Sequence, residues 1–257
     1  TKIKNNIQIF ISMKVAVEIP DFLTVEQYQK LNNLEHLTEL DKVIHTISII
    51  SDIAVAEIKT WDTSIIPTIY KDIAKPMEHN EEFHAIFKWE EQLYGFANID
   101  KMSLGEFTDL ERLSEDPIQN LHEIMAIMYR PVKKHIFNNF FWKQAHKVLL
   151  NKRKIDNVFK YYKLKKYDSE DRFSASEIMK QLPLEYALGA LGFFLGNVSG
   201  YLTTIQPYST VEERVTKREL MKINLNLLVS IGGGLRQFIN YPKEVFSISQ
   251  GQKVSLT

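Results

Sequence analysis

The sequence predicts a mainly α protein, a helical bundle with one β-hairpin and extended terminal arms. Apolar residues recur at helical spacing through most of the chain, as at Leu37, Leu40, Val43, Ile44, Ile47 and Ile50. One short stretch is instead aromatic and β-favouring on both sides of a tight acidic turn: Phe83 to Trp89, then Glu90, Glu91 and Gln92, then Leu93 to Ala97. The two ends lack a helical period. Ile7 to Val17 reads as one or two short strands or an arm, and Tyr241 to Thr257, with helix breakers and alternating apolar positions, reads as an extended arm.

In chain order, Thr24 and Gln27 form a capping-box pattern before Val25, Tyr28, Leu31 and Leu34, so a helix begins near Val25. The Leu37 to Ile50 period gives a second helix, and Asp52 is placed to cap a short third one ending near Lys59. Asp62, Thr63 and Ser64 offer a cap before Ile65 to Ala74, which Lys75-Pro76 stops. The polar stretch Glu78 to Glu82 separates an N-terminal helical region (1–77) from the hairpin and a connecting helix (78–115). A C-terminal helical region with an extended tail follows (116–257). Asp116-Pro117 starts a helix with a buried stripe of Ile118, Leu121, Ile124, Met125 and Met128, and Tyr129-Arg130-Pro131 breaks it. Val132 to Tyr162 reads as one bent helix or two, Lys165 to Ser176 as an exposed loop, and helix resumes at Ser176 or Leu184. Gly232-Gly233-Gly234 ends a further helix that begins near Val211.

Composition narrows the chemistry. The 257 residues include no cysteine, which excludes disulfides and thiolate metal sites and fits assembly in a reducing cytoplasm. No secretory signal is visible, because Ser12 and Lys14 interrupt the early apolar stretch. The 32 basic and 32 acidic residues cancel, but not locally. From Pro76 to Asp116 there are 11 acidic residues against Lys88, Lys101 and Arg112. From Lys147 to Tyr167 the sign reverses, with Lys147, Lys152, Arg153, Lys154, Lys160, Lys163, Lys165 and Lys166 against Asp156. Such asymmetry lets identical subunits meet acidic to basic. The basic run, interleaved with Tyr161, Tyr162 and Tyr167, is also a candidate contact for nucleic acid or an acidic partner. A solvated helix face with snorkelling lysines accounts for the same pattern.

From Tyr186 to Gln206 no charge occurs, and Gly192, Gly196 and Gly200 fall on one helical face. In a bilayer this is a small-residue packing surface of about the ~20 residues a span requires. The polar Asn197, Ser199, Thr203 and Thr204 favour a buried helix of a bundle instead. No catalytic or cofactor motif is found. The seven histidines make no HExxH pattern, and His79, Glu82 and His84 have no specific ligand spacing. Gly196-Asn197-Val198-Ser199-Gly200 is not a nucleophile elbow, since its serine is displaced by one position, and Gly232-Gly233-Gly234 lacks the Lys-Ser/Thr of a phosphate loop.

The hairpin sequence continues into Ser103-Leu104-Gly105-Glu106-Phe107-Thr108-Asp109-Leu110, Asn120-Leu121-His122 and Tyr129-Arg130-Pro131. Together with Leu93-Tyr94-Gly95-Phe96, these residues resemble the virion and tail-assembly proteins of tailed bacteriophages, crAss-like phages in particular. The likeness extends from the Gln27 region to the glycine-rich helix near Gly196. It implies a non-enzymatic virion component, made in the host cytoplasm, sited at the head-tail junction, in the tail or inside the particle as cargo. Its partners would be copies of itself and other phage structural proteins, with no cofactor. The candidate subunit-contact residues are Trp89, Leu93, Tyr94, Phe96, Gly192, Gly196 and Gly200. A tail-assembly chaperone absent from the mature particle, and a nucleic-acid-binding module using Lys147 to Lys166, are the other two expectations.

Overall fold

The computed structural model describes residues 7–11, 15–77, 82–135 and 159–204. Their contacts gather into two compact units. The smaller holds the described residues from 7 to 23 and from 27 to 77. The larger holds Thr24–Glu26 and the described residues from 82 to 204.

In the smaller unit, β1 (Ile7–Ile11) and β2 (Val15–Ile19) form an antiparallel hairpin in which Ile7 faces Ile19 and Ile11 faces Val15. Val17 and Ile19 of β2 are buried and Glu18 is exposed, the alternation of a half-buried strand. Four helices follow: α1 (Val25–Asn32), α2 (Glu39–Ser51), α3 (Val55–Ile58) and α4 (Ile66–Ile73). The Thr38 hydroxyl caps α2 by accepting from the Asp41 amide at 3.3 Å. Val43, Ile47 and Ile50 of α2, with Ile66, Ile69 and Ile73 of α4, make an apolar stripe at helical spacing. Asp52 does not cap α3. It ends α2 in the left-handed region (φ 58°), where a short polar side chain is tolerated, and Ala54 precedes α3 without a side-chain cap.

The larger unit overturns the expectation of a helical bundle with one hairpin. Strands β3 (Ile86–Trp89), β4 (Gln92–Phe96), β5 (Tyr129–His135) and β6 (Tyr162–Leu164) form one antiparallel sheet in that order. With β1 and β2 and eight α-helices among the described residues, this is an α+β architecture. The β3–β4 hairpin lies as predicted, turning on Glu90, which has φ 50°, and Glu91. The segment read as a helix break is a strand. Gly95 faces Arg130 and Phe96 faces Tyr129 across β4 and β5, so 132–135 and 162–164 are extended and not helical.

Pro131 misled the reading because proline is usually confined to sheet edges. Here the Pro131 carbonyl accepts from the Lys165 amide at 2.8 Å. The N–H and C=O of a residue in an extended strand point to the same side, so the donor that proline lacks would also face Lys165, just past the end of β6. Proline therefore forfeits only the return bond of that terminal pair and leaves the β4–β5 pairing untouched.

Between β4 and β5 run α5 (Leu104–Leu113) and α6 (Leu121–Met128). A capping box at Ser103 and Glu106 fixes the start of α5. The expected helix start at Asp116-Pro117 is instead a turn, with Asp116 Oδ1 accepting from the Gln119 amide at 3.2 Å, and α6 begins at Leu121. After β6 come α7 (Ser169–Lys180), capped by Asp168, and α8 (Leu184–Thr204). Much of the predicted 165–176 loop is therefore helix. Its buried face carries Arg172, Ser176 and Met179, mostly polar, so hydropathy gives no helical signal.

One sheet face carries the fully buried Phe87, Phe96 and Tyr129. Phe87 stacks on Tyr186 of α8 with ring centroids 4.5 Å apart, and Phe96 meets Phe193 edge-on at 5.4 Å. On the other face Ile86 and Tyr162 pack with Leu93, Val132 and Leu164. Gly189 brings α8 close to the chain entering β3, since a Cβ there would stand 2.4 Å from the Glu82 carbonyl oxygen.

Candidate functional site

The most elaborate polar constellation lies where α5, α6 and α7 meet the start of β5. Asp109 on α5 and Glu123 on α6 converge on Arg172 of α7, whose side chain is 4% exposed; Nη1 is 2.7 Å from Asp109 and Nε is 3.2 Å from Glu123. Tyr167, just before α7, donates its hydroxyl proton to Asp109, and Arg112 reaches the same carboxylate at 3.5 Å. One turn earlier on α5, Glu106 faces Arg130 of β5 at 2.9 Å and accepts at its other oxygen from the Ser103 amide and hydroxyl. The helical spacing of Glu106 and Asp109 puts both carboxylates on one face of α5.

Burial acts on each group, and the neighbours answer it. Desolvation pushes the Asp109 carboxyl up, but hydrogen bonds from Tyr167 and Arg172 bring it below the usual carboxylate value. The Tyr167 hydroxyl is pushed up to about 12 by burial and by its bond to Asp109. Burial pulls Arg172 down, and the bonds to Asp109 and Tyr167 raise it above its ordinary value. Every shift reinforces the charge state already held at neutral pH. Two contacts are ion pairs without aligned hydrogen bonds, Arg172 Nε with Glu123 and Arg130 with Glu106 Oε1, and the buried Arg130 Nε has no hydrogen-bond partner.

A crevice of about 220 Å³ opens beside the cluster, lined by Tyr94, Arg130, Pro131, Lys165, Arg172 and Ile178 among others. Three of its cations are matched within the protein, Arg130 by Glu106, Arg172 by Asp109 and Glu123, and Lys165 by Asp171 at 2.6 Å, while Lys166 at its edge is exposed. On α6, burial and Lys180 hold the His122 imidazole below its ordinary pKa, favouring the neutral ring.

The residues singled out from sequence are dispersed. Tyr94 and Phe96 lie in the core, Trp89 and Leu93 are half-buried, and Gly192 is exposed with open space around it. Gly196 and Gly200 belong to α8 by backbone. Gly192 makes no close approach, whereas Gly189, one turn earlier, brings α8 against the chain entering β3. Lys160, Lys163 and Lys166 are exposed and Lys165 is half-buried and paired, whereas Lys152, Arg153 and Lys154 lie outside the described residues. So do Gly232-Gly233-Gly234 with the helix expected before them, the 241–257 arm and His79.

No local spacing points to the Asp109–Arg172–Glu123 cluster, because Arg172 lies 63 positions from Asp109 and 49 from Glu123. Among the described residues no helix is long and apolar enough to cross a membrane, and no group of histidine, aspartate and glutamate side chains is placed to hold a metal ion. Comparison with protein-family models, curated proteins and solved structures finds no match to this chain.

Proposed function

We propose that the protein is a non-enzymatic structural component of a tailed-phage particle, at the head-tail junction, in the tail or carried inside, which acts through contacts between subunits. A contrast on α5 and α7 carries this reading. Asp109, Tyr167 and Arg172 are closed on one another, each stabilised in its resting charge state, so none of the three is poised to exchange a proton near neutral pH. On the same two helices Leu104, Phe173 and Ile178 stand 76%, 61% and 41% exposed. We read these side chains as parts of a contact surface, the use that exposed apolar area serves when it is contiguous. The resemblance of the segment from Phe83 to Pro131 to virion and tail-assembly proteins supports the same assignment, and that segment supplies β3, β4, α5, α6 and the start of β5.

Quantitative mass spectrometry of purified particles from the phage encoding this chain, with copy number scaled to the major capsid protein, tests the proposal. A fixed copy number is expected, and a multiple of a ring symmetry would place the protein near the junction or tail. Absence from particles, with abundance in infected-cell lysate, would replace this reading with that of a tail-assembly chaperone.

A further inference from the structure

The register of β5 against β6 concentrates positive charge at one rung of the sheet. Val132 faces Leu164 and Lys134 faces Lys163, so the pairing skips Lys133 in a β-bulge. A bulge sets two residues of one strand against one of its partner. Lys133 and Lys134 therefore both stand against Lys163, with directly opposed Cβ atoms only about 5 Å apart. All three are exposed, and among the described residues none has an ion-pair partner. Lys166, also exposed, extends the same charge past the end of β6. Lys165 is the exception, because it turns to Asp171.

Like charges placed opposite each other oppose strand pairing, and the rest of this unit shows how the chain neutralises a cation when it needs to. Arg130, Arg172, Lys88 and Lys180 each have a carboxylate within 4 Å. Among the described residues the bulge has no such carboxylate. We infer that the β5–β6 ribbon around Lys133, Lys134 and Lys163 is a nucleic-acid backbone contact, with phosphates as the missing counter-charge. The commitment to nucleic acid over an acidic protein rests on charge density. Duplex DNA carries one charge per about 1.7 Å of axis, uniformly, whereas a protein face intersperses its carboxylates. The shape agrees, since a two-stranded ribbon is one of the elements a major groove about 12 Å wide admits. The inference does not depend on where in a particle the protein resides.

The test is binding of the full chain to a fluorescein-labelled, random-sequence DNA duplex by anisotropy as salt is raised. Three neutralised phosphates give a slope of log K against log salt of about −2.7, which is about a fortyfold loss of affinity between roughly 50 and 200 mM salt. The triple variant Lys133→Gln, Lys134→Gln, Lys163→Gln is expected to lose this slope and to bind at least about tenfold more weakly at the lower salt. Its thermal midpoint should hold or rise, because repulsion is relieved. Should the triple variant not fold, Lys163→Gln alone must reduce the slope by about 1. Lys42→Gln, at a lysine already paired with Glu39 in the other unit, is the control and should leave the slope unchanged. No binding at low salt, a slope indifferent to the three lysines, or competition by polyglutamate as effective as by duplex at equal charge would each overturn the inference, the last in favour of an acidic protein partner.

Discussion

Tyr162 occupies the space that a side chain at Gly95 would need. A Cβ on Gly95 would approach the Tyr162 ring to 2.8 Å and Leu164 Cδ2 to 2.9 Å. The ring cannot move aside freely, because its hydroxyl donates to the Phe96 carbonyl at 2.6 Å and the residue is buried. Gly95→Ala is therefore expected to destabilise the larger unit by about 1–3 kcal/mol through overpacking. Urea unfolding followed by tyrosine fluorescence measures it, and an unchanged midpoint would contradict the packing.

Two glycines one turn apart on α8 should respond in opposite ways. Gly189→Ala would drive a methyl into the Glu82 backbone, which a side-chain rotation cannot relieve, and the variant is expected to fold poorly or not at all. Gly192→Ala meets nothing within 4 Å and gains helix propensity, up to about 1 kcal/mol. If the Gly192 face is a subunit contact, the same Ala variant, although at least as stable, should associate less in light scattering.

Removing Arg172 leaves Glu123 without its cation and Asp109 with only the more exposed Arg112 at 3.5 Å. Breaking a buried pair in this way typically costs about 3–5 kcal/mol, so Arg172→Leu should be among the most damaging single changes in α7. Combining it with Asp109→Leu and Glu123→Leu should recover much of the loss, since replacing a whole buried ionic group by apolar residues is often neutral. Denaturant midpoints of the single and triple variants decide this.

The same cluster predicts a stability profile with two edges. Asp109 has a folded pKa below its ordinary 3.8, so its contribution is complete above that value and is lost as pH falls through the lower folded one. Tyr167 has a folded pKa of about 12 against an ordinary 10.0, so its contribution is complete below 10.0 and is lost as pH rises through about 12. Tyr167→Phe should abolish the alkaline edge attributable to this hydroxyl and leave an acid edge at Asp109, as seen in unfolding midpoints collected across pH.

Local signals in the sequence located the local structure. The Glu90–Glu91 turn, the α2 period and the α4 helix each depend on residues within a few positions of one another, and each element formed where those residues lie. What escaped was non-local. Tyr129-Arg130-Pro131 becomes a strand only because Tyr94, Gly95 and Phe96 are there to pair with it, and α7 is stabilised by an arginine whose partners are on two other helices. A polar buried face and a proline in an inner strand both run against intrinsic propensity, and tertiary context decides them.

The order of the sheet also has a consequence in time. Tyr129 lies 33 residues beyond Phe96, so β4 has finished long before its neighbour β5 exists. At a synthesis rate of about 5–20 residues per second the β4 edge leaves the ribosome roughly 2–7 s before it can be paired. During that interval α5 and α6 can fold, since their contacts are local, while the strand edge remains a template for neighbouring nascent chains. The pace of translation through the codons between Phe96 and Tyr129 therefore sets how long that edge stays open, independently of how stable the sheet is once closed.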